Sequence, residues 1–147
     1  MARTGDRVDP YRAFDFRVEI EGLVTGGFSE CSGLQVEIET KEVREGGVNG
    51  YIDHVGGRVK HVPLILKRGV CDIDGLWAWY QDAARGRVQR KNGTIHLLDA
   101  SRSPVMHWDF KQAWPTKWTG PELRADANAI AFESIELVHR GLEWKKS

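Results

Sequence analysis

The 147-residue sequence has little cysteine, no excess charge of either sign and no long apolar run. Each shortage excludes something. Cys31 and Cys71 stand far apart with no CxxC pair, so there is no disulfide scaffold, and both are read as reduced thiols of a chain made in the cytoplasm. Lys+Arg and Asp+Glu both total 21. That balance removes the basic excess expected of a generic nucleic-acid or anionic-membrane binder, and leaves self-association unopposed by net charge. Nothing approaches the ~18 apolar residues of a membrane span. The basic start MARTGDRVDPYRAF has no apolar segment behind it, so neither a secretory signal nor membrane anchoring is expected.

Catalytic constellations are lacking too. His54, His61, His96, His107 and His139 form no HxH or HxxxH pair. No serine sits in a GxSxG elbow, and neither cysteine carries a catalytic signature. The sequence therefore points to no enzyme, no metal and no cofactor.

What is present is mostly β pattern. Phe14, Phe16, Val18 and Ile20 alternate with Asp15, Arg17, Glu19 and Glu21, the period-two signature of a half-buried strand. Leu34 to Val43 alternates likewise, with Val36, Ile38 and Thr40 on one face. Further strands are expected over 59–67, 95–98, 105–110 and 129–139. Pro63 belongs at an edge or bulge of its strand. In the last strand Ile130 and Phe132 share one parity and Ile135 and Leu137 the other, which suggests a bulge or bend. One helix is expected over about 73–85. Asp72 or Asp74 would cap it, Gly86 would end it, and Leu76, Trp79, Tyr80 and Ala83 would form its packing face. The resulting fold class is mainly β: one domain over 1–147, a β-sandwich or barrel subunit with one flanking α-helix.

The segment Arg44-Glu45-Gly46-Gly47-Val48-Asn49-Gly50-Tyr51, followed by Gly56-Gly57, interrupts this pattern. It is not a phosphate loop, because no Gly-Lys-Ser/Thr ending leads into a helix. Two readings remain from the residues alone: a long hairpin with its turn at Asn49-Gly50, or an extended glycine-rich arm over 44–58 that orders against a partner. The six tryptophans also admit two readings. Most suit the core, whereas the Trp108–Trp118 cluster, which includes Trp114, offers a wall for a small β-barrel ligand-binding module.

Read in order, certain motifs resemble a known family. They are Asp9-Pro10-Tyr11, FDFRVEIEG (14–22), GGFSECSGLQVE (26–37), REGGVNGY (44–51), LKRGV (66–70), LWAWYQD (76–82), FKQAWPTKW (110–118) and ELRADANAIAFESIELVHRGL (122–142). Over about 9–143 the chain resembles the inner tube proteins of contractile injection systems and contractile phage tails. It is more distantly similar to the hemolysin-coregulated tube protein of type VI secretion. One departure is Trp114, where a smaller aromatic is expected before the proline. The resemblance implies a structural subunit of stacked hexameric rings whose sheets join edge to edge into a hollow tube. The implied partners are further copies of the chain, a contractile sheath protein, and baseplate or tube-initiating proteins. The lumen would carry cargo, a toxin effector or, in a phage, DNA. Assembly would be cytoplasmic, within a particle either released or retained. Residues 44–58 would drape over a neighbouring subunit, and residues 66–69 with the helix would brace the barrel from outside, towards the sheath.

Overall fold

The computed structural model describes residues 15–25, 27–44, 46, 50–126 and 128–147. The described residues form nine strands and one helix. In chain order these are β1 (Phe16–Ile20), β2 (Glu30–Ser32), β3 (Val36–Val43), β4 (Asp53–His61), β5 (Leu64–Gly69), α1 (Gly75–Ala84), β6 (Lys91–Leu98), β7 (Pro104–Thr119), β8 (Phe132–Val138) and β9 (Gly141–Lys146).

The 16-residue β7 organises the rest. Its first part pairs with β6 on one side and β9 on the other, and its last part pairs with β8. Between the two parts Gln112 takes a left-handed backbone (φ 55°), and its amide donates to Asn92 Oδ1 at 3.0 Å. The opposing register skips at Lys91/Gly93. Such a bulge bends a strand, so β7 serves two layers: β1-β6-β7-β9 and β7-β8-β5-β2, every pairing antiparallel.

One apolar cluster fills the space between them. Val18 and Ile20 of β1, Ile95 of β6 and Phe110 and Ala113 of β7 meet Leu64 and Leu66 of β5 and Ile135 and Leu137 of β8. Gly93 is required here: a Cβ at this position would overlap the Phe110 ring and lie 2.7 Å from the Glu19 carbonyl. Helix α1 completes the cluster with Leu76 and Trp79, and Trp79 Nε1 donates to the Gln89 carbonyl at 2.8 Å. Asp74 occupies the N-cap position without a side-chain cap bond, so the expected acidic cap is not made. The other end follows the expected pattern. Gly86 has φ 88°, its amide donates to Ala83 O and that of Arg87 to Asp82 O, a Schellman closure.

Among the described residues Arg68 is the one charged side chain placed in the core, with 2% of its surface exposed. It lies on the same face of β5 as Leu64 and Leu66. Its Nε donates to Glu133 Oε1 on β8 at 2.6 Å, its Nη1 to the Thr25 carbonyl, and its Nη2 to the Ile73 carbonyl at 2.5 Å. The guanidinium thus ties the β1–β2 link and the approach to α1 onto β8. Within the subunit Leu66 and Arg68 point into the core between the two layers, and Lys67 is the member turned towards solvent.

Three sequence expectations also differ in extent. The strand expected over 59–67 is broken at Val62-Pro63, because β4 ends at His61 and β5 begins at Leu64. The parity change in 129–139 needs no bulge. β8 keeps regular register with β5, and Phe132 lies on the outer face under Lys67 Nζ, 5.1 Å from its ring centre. Strand β7 continues nine residues beyond its expected end at Phe110, through Pro115.

Arg68→Met should destabilise the fold by about 3–5 kcal/mol in urea unfolding, because it strands the Glu133 carboxylate and two carbonyls. Adding Glu133→Leu should recover only part of that loss, since the carbonyls of Thr25 and Ile73 still lack their donor.

Candidate assembly interface

Strands β3 and β4 form a separate two-stranded sheet. It grows out of the β2–β5 pair: Cys31 lies opposite Leu66, Val62 N donates to Gln35 O, and Val36 lies opposite His61. The ribbon turns between these pairings at Gly33, whose φ is 92° and whose position leaves no room for a Cβ against the Pro63 carbonyl. Beyond that turn every residue of β3 is exposed, as is every residue of β4 except His61. The alternation at Val36, Ile38 and Thr40 therefore does not serve this subunit's core. Val36, Ile38 and Val59 share one face and stand 48%, 57% and 48% exposed. A lone hairpin is marginal in water, and an uncovered apolar face on one marks a surface for a partner.

Of the arm residues singled out from sequence, Arg44, Gly46, Gly50 and Tyr51 lie in the exposed link between β3 and β4. Glu45, Gly47, Val48 and Asn49 lie outside the described residues. The stretch lacking strand pattern is shorter than expected, since β4 already starts at Asp53 and carries Gly56 and Gly57 within it. The helix residues sit apart from the arm. Leu76 and Trp79 are buried, and Tyr80 and Ala83 are partly buried. Trp77 is half-exposed, 5.8 Å from the Tyr80 ring and 4.6 Å from the Trp118 ring.

A residue pair unforeseen from sequence holds the arm root. His139, between β8 and β9, places Nε2 3.1 Å from the Val62 carbonyl and Nδ1 3.1 Å from that of Gly141. The His61 ring lies 5.2 Å away, and its Nδ1 is buried without a hydrogen-bond partner among the described residues. Burial above all holds the His139 imidazole below its ordinary 6.5; the Val62 carbonyl opposes this and the neighbouring His61 adds to it. The only sequence signal was negative, two histidines 78 positions apart with no shared motif.

The outer face of β1-β6-β7-β9 is charged in rows. Arg17, His96, His107 and Lys145 lie side by side across the four strands, and Glu19, Thr94, Asp109 and Glu143 form the next row. The rows bridge one another: Arg17–Glu19 at 3.3 Å, His96–Glu19 at 3.5 Å, His107–Asp109 at 3.8 Å and Lys145–Asp109 at 3.3 Å. Burial raises the Asp109 carboxyl, but hydrogen bonds from Thr94 and Lys145 and the charges of His107 and Lys145 outweigh it, so the group sits below the usual carboxylate range. Among the described residues no strand pairs with the outer side of β1 or β9, so this layer has two free edges. Trp144 on β9 is 60% exposed beside one of them.

Little here suits catalysis. No cluster of metal-ligating side chains occurs among the described residues. Burial pushes the Cys31 thiol up to about 11, which leaves it a thiol at neutral pH. Trp108, Trp114 and Trp118 are partly buried and pack against the core. No helix of the described residues is long and apolar enough to cross a membrane.

Free edges and an uncovered ribbon describe an assembling subunit. The family model for the T4-like virus tail tube protein gp19 matches residues 12–143. The chain belongs to this family. It is a structural tube subunit of a contractile injection system, not an enzyme. Solved structures share its fold. One from the extracellular contractile injection system PVC, in a sheath-tube complex in the extended state, has 26% identity and a TM-score of 0.83, covering 94% of this chain and 93% of that chain. A chain of the anti-feeding prophage baseplate, solved with six-fold symmetry, has 26% identity and a TM-score of 0.84 over 95% and 97%. Hcp1 from Flavobacterium johnsoniae, 10% identical with a TM-score of 0.55 over 90% and 95%, shares the fold. No sequence among curated proteins matches.

The arm root of this tail tube protein should respond to acid. With the folded-state value of His139 below its unfolded value, the stabilising preference for the neutral ring is complete above pH 6.5 and is lost as pH falls through the folded value. The melting temperature should therefore drop between about pH 7 and pH 5, and His139→Gln should flatten that drop in a thermal scan. The carboxylates held low, Asp99 and Asp109, act only below their ordinary 3.8, outside this window.

Proposed function

We propose that the chain assembles as stacked hexameric rings forming a hollow tube, within a contractile sheath and on a baseplate. The single observation that carries this is the layer β1-β6-β7-β9. It has a polar outer face, and its two edges are of similar length, five and six residues. Strand direction alternates across the layer, so β9 of one copy and β1 of the next can continue it antiparallel. Closure then consumes edges that would otherwise invite aggregation. The other layer is less suited, because its β2 edge is three residues long. Six copies per ring are supported by the six-fold symmetry of the anti-feeding prophage baseplate, and sheath and baseplate partners by the complexes in which the matching chains were solved. Assembly takes place in the cytoplasm, and the lumen conducts cargo.

In this reading the ribbon β3–β4 with residues 44–51 reaches onto a neighbouring copy, which covers Val36, Ile38 and Val59. The isolated subunit offers them no such cover. On α1, Leu76 and Trp79 belong instead to the subunit's own core, and Tyr80 packs against it.

The purified chain should form rings or tubes at high concentration, visible by negative-stain microscopy and counted by native mass measurement. A chain that stays monomeric, even with its sheath protein, would sink the reading. Deleting residues 46–50 should leave the circular dichroism spectrum and melting of the subunit unchanged while shortening the stacks. Unfolding on deletion would mean that the link belongs to the subunit's own hairpin rather than to an interface.

A further inference from the structure

We infer that β9 of one copy meets β1 of the next in one register only: Glu143 opposite Arg17, Lys145 opposite Asp15, and Trp144 opposite Phe16. This rests on the ring reading above and deepens it by naming the edges and their alignment.

Two physical conditions select the register. The first is parity. A continuous sheet must keep its charged face charged, and a slip of one residue would set Trp144 opposite Arg17 or Glu19 of the next copy. Allowed registers therefore differ by two residues. The second is charge. If the rows simply continued, Lys145 would meet Arg17 and Glu143 would meet Glu19, two like-charge pairs, which destabilise a sheet when directly opposed. A shift of two residues one way sets Lys145 against Glu19 but Glu143 against Glu21. The shift the other way sets Glu143 against Arg17 and Lys145 against Asp15. Of the three it alone has no like-charge pair.

The opposite face agrees independently. In the selected register Trp144, 60% exposed in the single chain, faces Phe16 of the next copy. Phe16 is partly buried and packed against the core, so the pair would extend the apolar cluster across the joint. In the flush register Trp144 would face Val18, which is already 94% covered within its own subunit. Asp15 is held by Arg102 through Oδ2 at 2.7 Å, and a carboxylate has acceptor sites for a second cation. The selected register also displaces each copy by two residues, ~6.8 Å along the strand, and closed barrels require such a stagger.

Charge reversal reads the register by sign. Assembly of wild type, Arg17→Glu, Glu143→Arg and the double variant is measured at matched concentration by sedimentation and negative-stain microscopy, with melting curves confirming that each is folded. In the inferred register each single reversal creates a like-charge pair at every joint and should lower the assembled fraction at least about tenfold, and the double variant should restore it. In the flush register Arg17→Glu would instead relieve repulsion from Lys145 and strengthen assembly. That result, or single variants that assemble as wild type, or a double variant no better than its parents, overturns the register and leaves the ring reading standing. Lys145→Glu with Asp15→Lys gives the same test on the second pair. If wild type itself forms no rings, the ring reading falls and the joint falls with it.

Discussion

The bend in β7 at Gln112 is the constraint on which the other features rest. A straight 16-residue strand would span roughly 50 Å and belong to one open, twisted sheet. Placing one residue in left-handed backbone, against the Asn92 side chain, turns the strand so that its two halves belong to different layers. The β8–β9 segment follows the same corner, pairing with the last and then the first part of β7. Only with both segments bent do Phe110 and Ala113 face Leu64, Leu66, Ile135 and Leu137 across one core. The same bend fixes β1 and β9 as the outer strands of one layer.

A sandwich made this way stays open where α1 enters, and Arg68 secures that side. Burying a guanidinium is costly unless its donors are used. Here Nε, Nη1 and Nη2 all have oxygen partners, two of them carbonyls of irregular chain. Apolar packing alone could not satisfy those carbonyls, because loop backbone needs a donor when it is covered. The body of the subunit is thus held by a shared apolar core and one buried cation. The β3–β4 ribbon draws on neither, and is tied to the body at Gly33, Val62 and His139.

Those differences explain what was legible in the sequence. Strand β1 and helix α1 were readable because their apolar spacing reports contacts within the subunit: Val18 and Ile20 inward with Arg17 and Glu19 outward, Leu76 and Trp79 inward. The far half of β7 was not, since Pro115 and the bulge beside it break the period that identifies a strand. Arg68 was missed because nothing in two adjacent cations marks which of them is buried, although its parity with Leu64 and Leu66 carried the signal. In the ribbon the alternation was read correctly as strand, but periodicity says only that two faces differ. It does not say whether the apolar face is covered by the same chain or by another copy, and that is where the helix face and the arm differ in kind.

The zero net charge fits the same division. In a filament of many identical copies any net charge per copy accumulates along the length and opposes growth, while local pairs of opposite charge do not. The rows on β1-β6-β7-β9 are arranged in this way, with Arg17 beside Glu19 and Lys145 beside Asp109 within each copy. Balanced rows supply little net attraction, as exposed pairs are worth little singly. Their effect is on alignment, because a slip along the edge turns bridges into repulsions. Affinity between copies must then come from apolar surface that the single chain leaves open, of which Trp144 beside one edge and Val36, Ile38 and Val59 on the ribbon are the clearest cases. Cohesion and register are thereby carried by different residues on the same strands, and alternation at period two is what permits both.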